Sequence, residues 1–266
     1  VSNRLNLGFF ESVVWTKDNN RGFDMSFVNP IIFYRAVEFG SSSRSGNALL
    51  GLTFKYKWDA SINAYGQFLL DEFSLGDVKG GDNSWKNKFG YQVGVKYYNA
   101  FKVKNLLLQL EYNYVYSHSN PITNYAHNNQ SLGHQWGGNF RELIAIARYN
   151  KGRLFADAKV TVGTRGLDFN TTEDSFNYGG NIYKDYDEKR PFDTGVKVGQ
   201  GNKTKVFIAD IQGGYLVNPA TNLKLFASYI YRSFDPSKNT VATFNQSTNW
   251  VTLGVRSDIF NFYFDY

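Results

Sequence analysis

The chain's three histidines, His118, His127 and His134, fall in one polar stretch. A metal centre would need two or three of them to converge with further N, S or O ligands. Their spacing is loose and Cys is absent, so no metal is expected. The neighbouring residues suit a different chemistry. Tyr125, His127, Asn129, His134, Trp136 and Asn139 lie within one run. Amides and imidazoles hydrogen-bond hydroxyl groups, and aromatic rings cover apolar faces. Together they suit a saccharide, and these six are the candidate ligand-binding residues. The competing and preferred reading is an ordered loop packed over or into the mouth of the fold.

A second set is charged. Asp71, Glu111, Glu142, Asp157 and Asp210 share strand positions with Lys96, Arg148, Lys159, Lys224, Arg232 and Arg256. Such a face is a polar channel or carbohydrate surface, or simply a set of mutually neutralising ion pairs. Nothing singles out a carboxylate pair for hydrolysis. No nucleophile elbow, P-loop, dinucleotide fingerprint or HExxH motif occurs. No catalytic residue and no cofactor are expected. A third stretch, Phe27 to Phe39, is too apolar for a free loop. Pro30 within it argues against a central strand. Phe33, Tyr34 and Arg35 are the candidates there for contact with a partner or with the interior.

These residues need elements to hold them. From Leu106 to Tyr116 one parity reads Leu106, Leu108, Leu110, Tyr112, Tyr114, Tyr116 and the other Leu107, Gln109, Glu111, Asn113, Val115. Successive side chains of a strand point to opposite faces, so one face is apolar and aromatic and the other polar. The same pattern predicts about ten strands, near 3–16, 46–58, 60–73, 87–100, 103–117, 139–150, 152–163, 205–217, 222–234 and 247–258. The connections alternate between tight turns and long loops (17–45, 74–86, 118–138, 164–204, 235–246). An up-and-down barrel has two rims, and outer-membrane barrels put short turns on one and long loops on the other. A dozen residues at about 3.3 Å each, tilted near 40°, rise about 30 Å, enough for the apolar band of a membrane. Glu11 shares the parity of Leu5, Leu7 and Phe9, which requires a bulge or a place near a rim.

Composition agrees. Aromatic residues are 18% of the 266 and mean hydropathy is -0.42. No apolar run is long enough for a membrane-crossing helix. Net charge is +6, but the basic residues are scattered along strands, so nucleic acid is not an expected partner. The absence of Cys excludes a disulfide framework without fixing a compartment. The expected fold is all-β: one antiparallel up-and-down transmembrane β-barrel domain over residues 1–266. A soluble sandwich or barrel is the alternative. The chain starts at Val1 without Met or a signal peptide, and is expected to be part of something longer.

The Asn29-Pro30-Ile31-Ile32-Phe33-Tyr34-Arg35 stretch, Tyr65-Gly66-Gln67 through Asp71-Glu72, and His127 to Phe140 resemble the Bacteroidota outer-membrane barrels of the Wzi-like capsule assembly and RemB-type gliding motility family. The aromatic ending Ile259 to Tyr266 is similar to that family's C-terminus. The resemblance covers most of the chain. It implies a C-terminal portion of a larger barrel, with a complete ten-stranded barrel as the alternative. It also implies a non-enzymatic role in the cell outer membrane. The partners implied are lipid and lipopolysaccharide, surface polysaccharide, and other outer-membrane, type 9 secretion or motility proteins. None of the family's binding residues transfers to a position of this chain. A passive diffusion porin and an outer-membrane hydrolase are the other functional classes to weigh.

Overall fold

The computed structural model describes residues 2–15, 46–72 and 75–257. Phe33, Tyr34, Arg35 and the 259–266 ending lie outside them. The strands are β1 (Leu5–Val14), β2 (Asn47–Lys57), β3 (Ile62–Glu72), β4 (Lys88–Tyr98), β5 (Leu106–Val115), β6 (Ala126–His127), β7 (Gln130–Ser131), β8 (Phe140–Lys151), β9 (Leu154–Leu167), β10 (Asn202–Asn218), β11 (Leu223–Pro236) and β12 (Gln246–Ser257). A short helix α1 (Leu75–Gly80) lies between β3 and β4. Ten strands form one antiparallel sheet in which each pairs with the next along the chain, β6 and β7 forming a separate small ribbon. Among the described residues β1 and β12 do not pair, so the sheet is not closed there. The all-β, up-and-down expectation holds. The ten large strands fall where the alternation places them, and tight and long connections alternate.

The tight turns have local causes. Asp59 Oδ1 accepts from the N–H groups of Ser61 (2.6 Å) and Ile62 (2.8 Å), turning β2 into β3. Asp and Asn side chains that bond the backbone two or three residues on give this turn without help from elsewhere. Asn218 Oδ1 does the same for Ala220 N–H at 2.9 Å. Gly152, between β8 and β9, has φ +59°, a region that costs other residues strain.

The register runs each parity across the sheet. Leu7 faces Phe54, then the row continues through Gly66, Val93, Tyr112, Leu143, Val162 and Phe207. The opposite parity runs Thr53, Gln67, Gln92, Asn113, Glu142, Gly163 and Val206. The register of β1 with β2 is unbroken from Leu5 to Val14. No bulge turns Glu11 over, so it keeps the parity of Leu7 and Phe9 and sits toward the long-loop end.

Burial runs against the usual order. Leu253 is 79% exposed, Val251 71% and Leu7 58%, whereas Glu142 is 2% exposed, Thr161 5% and Asn113 6%. Leaving one large aliphatic side chain in water forgoes about 1.5–3 kcal/mol. Here the apolar residues of ten strands share one uncovered face, far beyond the few hundred Å² of apolar patch that a soluble monomer usually shows. The polar face is the one covered, by its own long loops.

Candidate functional site

The site is built where the long loops fold onto the polar face. β8 begins with Phe140, which is fully buried among Trp136, Val206 and neighbours including Val115 and Phe234. Trp136 lies across Gly163 of β9, where a Cβ would come 2.6 Å from its ring. The absence of a side chain at 163 therefore leaves the floor on which Trp136 rests.

Asn139 ties three segments together. Its Nδ2 donates to the carbonyls of Gly166 (3.0 Å), Tyr178 (3.0 Å) and Gln200 (3.2 Å), and its Oδ1 accepts from Gly199 N–H at 2.7 Å. Its backbone N–H donates to Tyr116 O, and its carbonyl accepts from Gly166 N–H. Its φ is +56°, a left-handed conformation that Asn tolerates better than most residues. Asn139 is fully buried and its hydrogen-bonding groups are engaged, so it holds the loops.

A second junction joins 75–87 to 168–201. Trp85 stacks on Tyr186 at 4.7 Å, and the Arg190 guanidinium lies 3.9 Å from the Trp85 ring centre. Tyr116 and Val196 complete this cluster. His118 is buried beside it. Its Nε2 donates to Asn177 O (3.2 Å), which leaves Nδ1 to accept from Ser117 Oγ (3.0 Å). Burial lowers its pKa to about 4, with the positive charges of Arg190 and Lys88 adding to the effect against the Asn177 hydrogen bond. His118 is therefore neutral at ordinary pH.

His134 reaches the sheet itself. Its Nδ1 accepts from Trp136 N–H (3.1 Å), and its Nε2 lies 2.7 Å from Glu142 Oε1. From Glu142 a polar chain continues along the face. Asn113 Nδ2 donates to Glu142 Oε1 (2.9 Å) and to Glu111 Oε1 (3.1 Å). Tyr65 donates to Glu111 Oε2, and Gln109 Nε2 donates to Tyr65 Oη at 2.8 Å. The two carboxylates accept bonds along this chain, an arrangement that fixes side chains firmly.

Two of the cavities among the loops hold candidate residues. One, of about 650 Å³, is lined by Asn129, Gln130, Gln135, Trp136, Asn170, Asn181 and Tyr183, with Arg165, Asp168 and Lys184. Lys184 Nζ pairs with the buried Asp168 at 2.6 Å. Arg165 Nη2 donates to Trp136 O (3.0 Å), while its Nε is buried without a hydrogen-bond partner. The other cavity, of about 130 Å³, is lined by residues including His118, Tyr125, His134 and Lys88.

Of the six candidate residues, Asn129 and Trp136 line the larger cavity, and Tyr125 and His134 the smaller. His127 is exposed on the β6–β7 ribbon and lines neither, and Asn139 is a buried tether. The loop packs onto the polar face through Trp136 and His134. The cavity residues that the sequence did not bring forward come from the end of β9, from 168–184 and from Ala242 and Thr243. The Asn- and Tyr-rich composition of 168–184 was the available signal. Among the described residues no group of three or more His, Cys, Asp or Glu could hold a metal ion. Comparison with protein-family models, curated proteins and solved structures returns no match.

Proposed function

We propose that the chain is a membrane-spanning β-barrel, whole or in part, in a cell outer membrane, and that it takes part without catalysis in surface polysaccharide binding or capsule assembly. The observation that carries this reading is the inside-out sheet: apolar residues uncovered on one face of ten strands, carboxylates and amides buried on the other. Lipid covers the first face at no cost, since alternate residues of a spanning strand face acyl chains. Alternating short turns and long loops give the two rims that such a barrel needs. The amide- and aromatic-lined cavity of about 650 Å³ at the long-loop rim has the chemistry for saccharide hydroxyls. A role beside motility or type 9 secretion components stays within this reading, with the loops as the contact surface.

Two observations favour it over the alternatives. The loops fold onto the polar face through Trp136 and His134, which speaks against a wide diffusion pore. Glu111 and Glu142 are tied to Tyr65, Asn113 and His134, which suits scaffolding better than a hydrolytic pair. The test is membrane fractionation followed by planar-bilayer recording. The reading expects carbonate-resistant protein in the outer membrane and little steady conductance. A protein soluble without detergent would defeat the membrane assignment, and large steady conductance would replace polysaccharide binding with the porin.

A further inference from the structure

The apolar face does not end evenly at the long-loop rim. On β8 the outward parity runs Tyr149, Ala147, Ala145, Leu143 and ends in Arg141, with Ala145, Leu143 and Arg141 exposed. On β10 it runs Ile211, Ala209, Phe207 and ends in Lys205 and Lys203. Both Arg141 and Lys205 lie opposite Thr164 of β9 in the register, one from each side. Two strand spacings put their backbones about 10 Å apart. Along β10 burial alternates strictly: Asn202, Thr204 and Val206 are covered, while Lys203, Lys205 and Phe207 are exposed. The three cations therefore share the outward face with Leu143, Val162 and Phe207 directly below them.

A surface cavity of about 520 Å³ is bounded by these residues, with Tyr112 and Asp235 at its edges. Two carboxylates line it, Asp235 on this face and Glu142 from the buried parity. Asp235 stands opposite Lys205 in the register, and its Oδ1 accepts from Asn245 at 2.8 Å. No ion pair within 4.0 Å is made by Arg141, Lys203 or Lys205 among the described residues. Cations above and aliphatic groups below match one class of partner: an amphiphile with a phosphorylated head and acyl chains. An Arg fork takes two phosphate oxygens, and long Lys stems lie along apolar surface while their ammonium groups reach polar groups.

We infer that Arg141, Lys203 and Lys205 form a binding site for the phosphorylated headgroup of a membrane glycolipid, whose acyl chains lie over Leu143, Val162 and Phe207. The inference rests on the membrane-spanning reading above and deepens it by giving the headgroup and acyl chains of one lipid class a place on named residues. It is independent of the loop cavity and of any saccharide bound there.

The test uses the whole chain in a non-ionic detergent, with native mass spectrometry as the readout. The probes are a bis-phosphorylated, acylated glucosamine disaccharide lipid, its dephosphorylated counterpart and inorganic phosphate. The wild type is expected to retain the phosphorylated lipid at least tenfold better than the dephosphorylated one. The triple variant Arg141→Gln, Lys203→Gln, Lys205→Gln is expected to bring that ratio close to one. All three side chains are exposed, so folding is not at risk. A charge-matched triple, Lys79→Gln, Lys86→Gln, Lys189→Gln, alters exposed residues on α1 and in the loops and is expected to keep the wild-type ratio. The site is overturned by a ratio near one in the wild type, by an unchanged ratio in the rim triple, or by inorganic phosphate displacing the lipid at equal concentration. Insertion into neutral-lipid vesicles separates the two failures. A wild type that inserts but shows no preference loses only the headgroup site, whereas one that never inserts loses the membrane reading as well.

Discussion

Replacing Asn139 by Ala should release the loop cap while leaving the sheet in place. The side chain satisfies one buried N–H and supplies two protons to three buried carbonyls. Three satisfied protons at a net value of about 1 kcal/mol each give about 3 kcal/mol. Alanine at φ +56° adds strain of about 1 kcal/mol. The sum, about 4 kcal/mol, is at the upper end for one substitution and corresponds to about a thousandfold change in a local opening equilibrium. The assay is amide hydrogen exchange at Gly166 and Gly199, whose N–H groups bond Asn139, with β11 amides as an internal reference. Exchange at the first two should accelerate by about three decades, and at β11 hardly at all. Asn139→Gly should fall about 1 kcal/mol short of alanine, because glycine carries no strain at this φ. Equal protection in Asn139→Ala and wild type would refute the tether, and acceleration spread evenly over β11 would refute its local character.

Other outcomes follow from the same contacts. His118 binds its proton more weakly in the fold, at about pH 4, than in an unfolded segment, at about 6.5. The loop cap should therefore be at full stability above pH 6.5 and lose up to about 3 kcal/mol as pH falls from 6.5 to 4. Limited proteolysis of 168–201 against pH reads this, and His118→Asn should flatten the curve. Trp85→Ala removes the ring between Tyr186 and Arg190 and should cost about 3 kcal/mol or more locally, read as faster cleavage within 187–198; Trp85→Phe should recover much of it. Gly163→Val would drive a side chain into Trp136, and a red-shifted tryptophan emission that vanishes in Trp136→Phe would report its displacement. Ile211→Arg on the apolar face should destabilise vesicle-embedded protein by about 2–4 kcal/mol in urea unfolding, and the adjacent Gln212→Arg by far less; equal costs would contradict the assignment of faces.

The sheet was legible because each long strand repeats a two-residue period over about a dozen positions. Leu106 to Val115 shows it most plainly, and Leu223 to Tyr231 repeats it. The period fades toward the long-loop ends of the strands. β9 therefore extends to Leu167 and β10 starts at Asn202, beyond the 163 and 205 limits of the alternation. At the start of β10 both parities are polar, with Thr204 buried and Lys203 exposed, so the apolar-polar alternation that marks a strand is lost. The loop site was half legible. Trp136 and Asn129 stood out by residue type, but the position of Asn139 as a tether depends on Gly166, Tyr178, Gly199 and Gln200, which no local pattern joins to it. Arg165 and Asp168 were hidden for the same reason, since long-range packing of 168–201 brings them to the cavity. Glu11 breaks the parity rule in sequence, and the unbroken β1–β2 register resolves it as a residue toward the rim.

A membrane-spanning sheet must turn its apolar face to lipid. The chain has no Cys, so single cysteines can be placed along β11 without background and spin-labelled in vesicles. Accessibility to lipid-soluble oxygen and to a water-soluble nickel chelate, measured from position 224 to 232, decides the matter. Oxygen should win at Leu225, Ala227 and Tyr229, and the chelate at Lys224, Ser228 and Arg232, in strict alternation. The opposite phase, or no alternation at all, would contradict a sheet that turns its apolar face to the membrane.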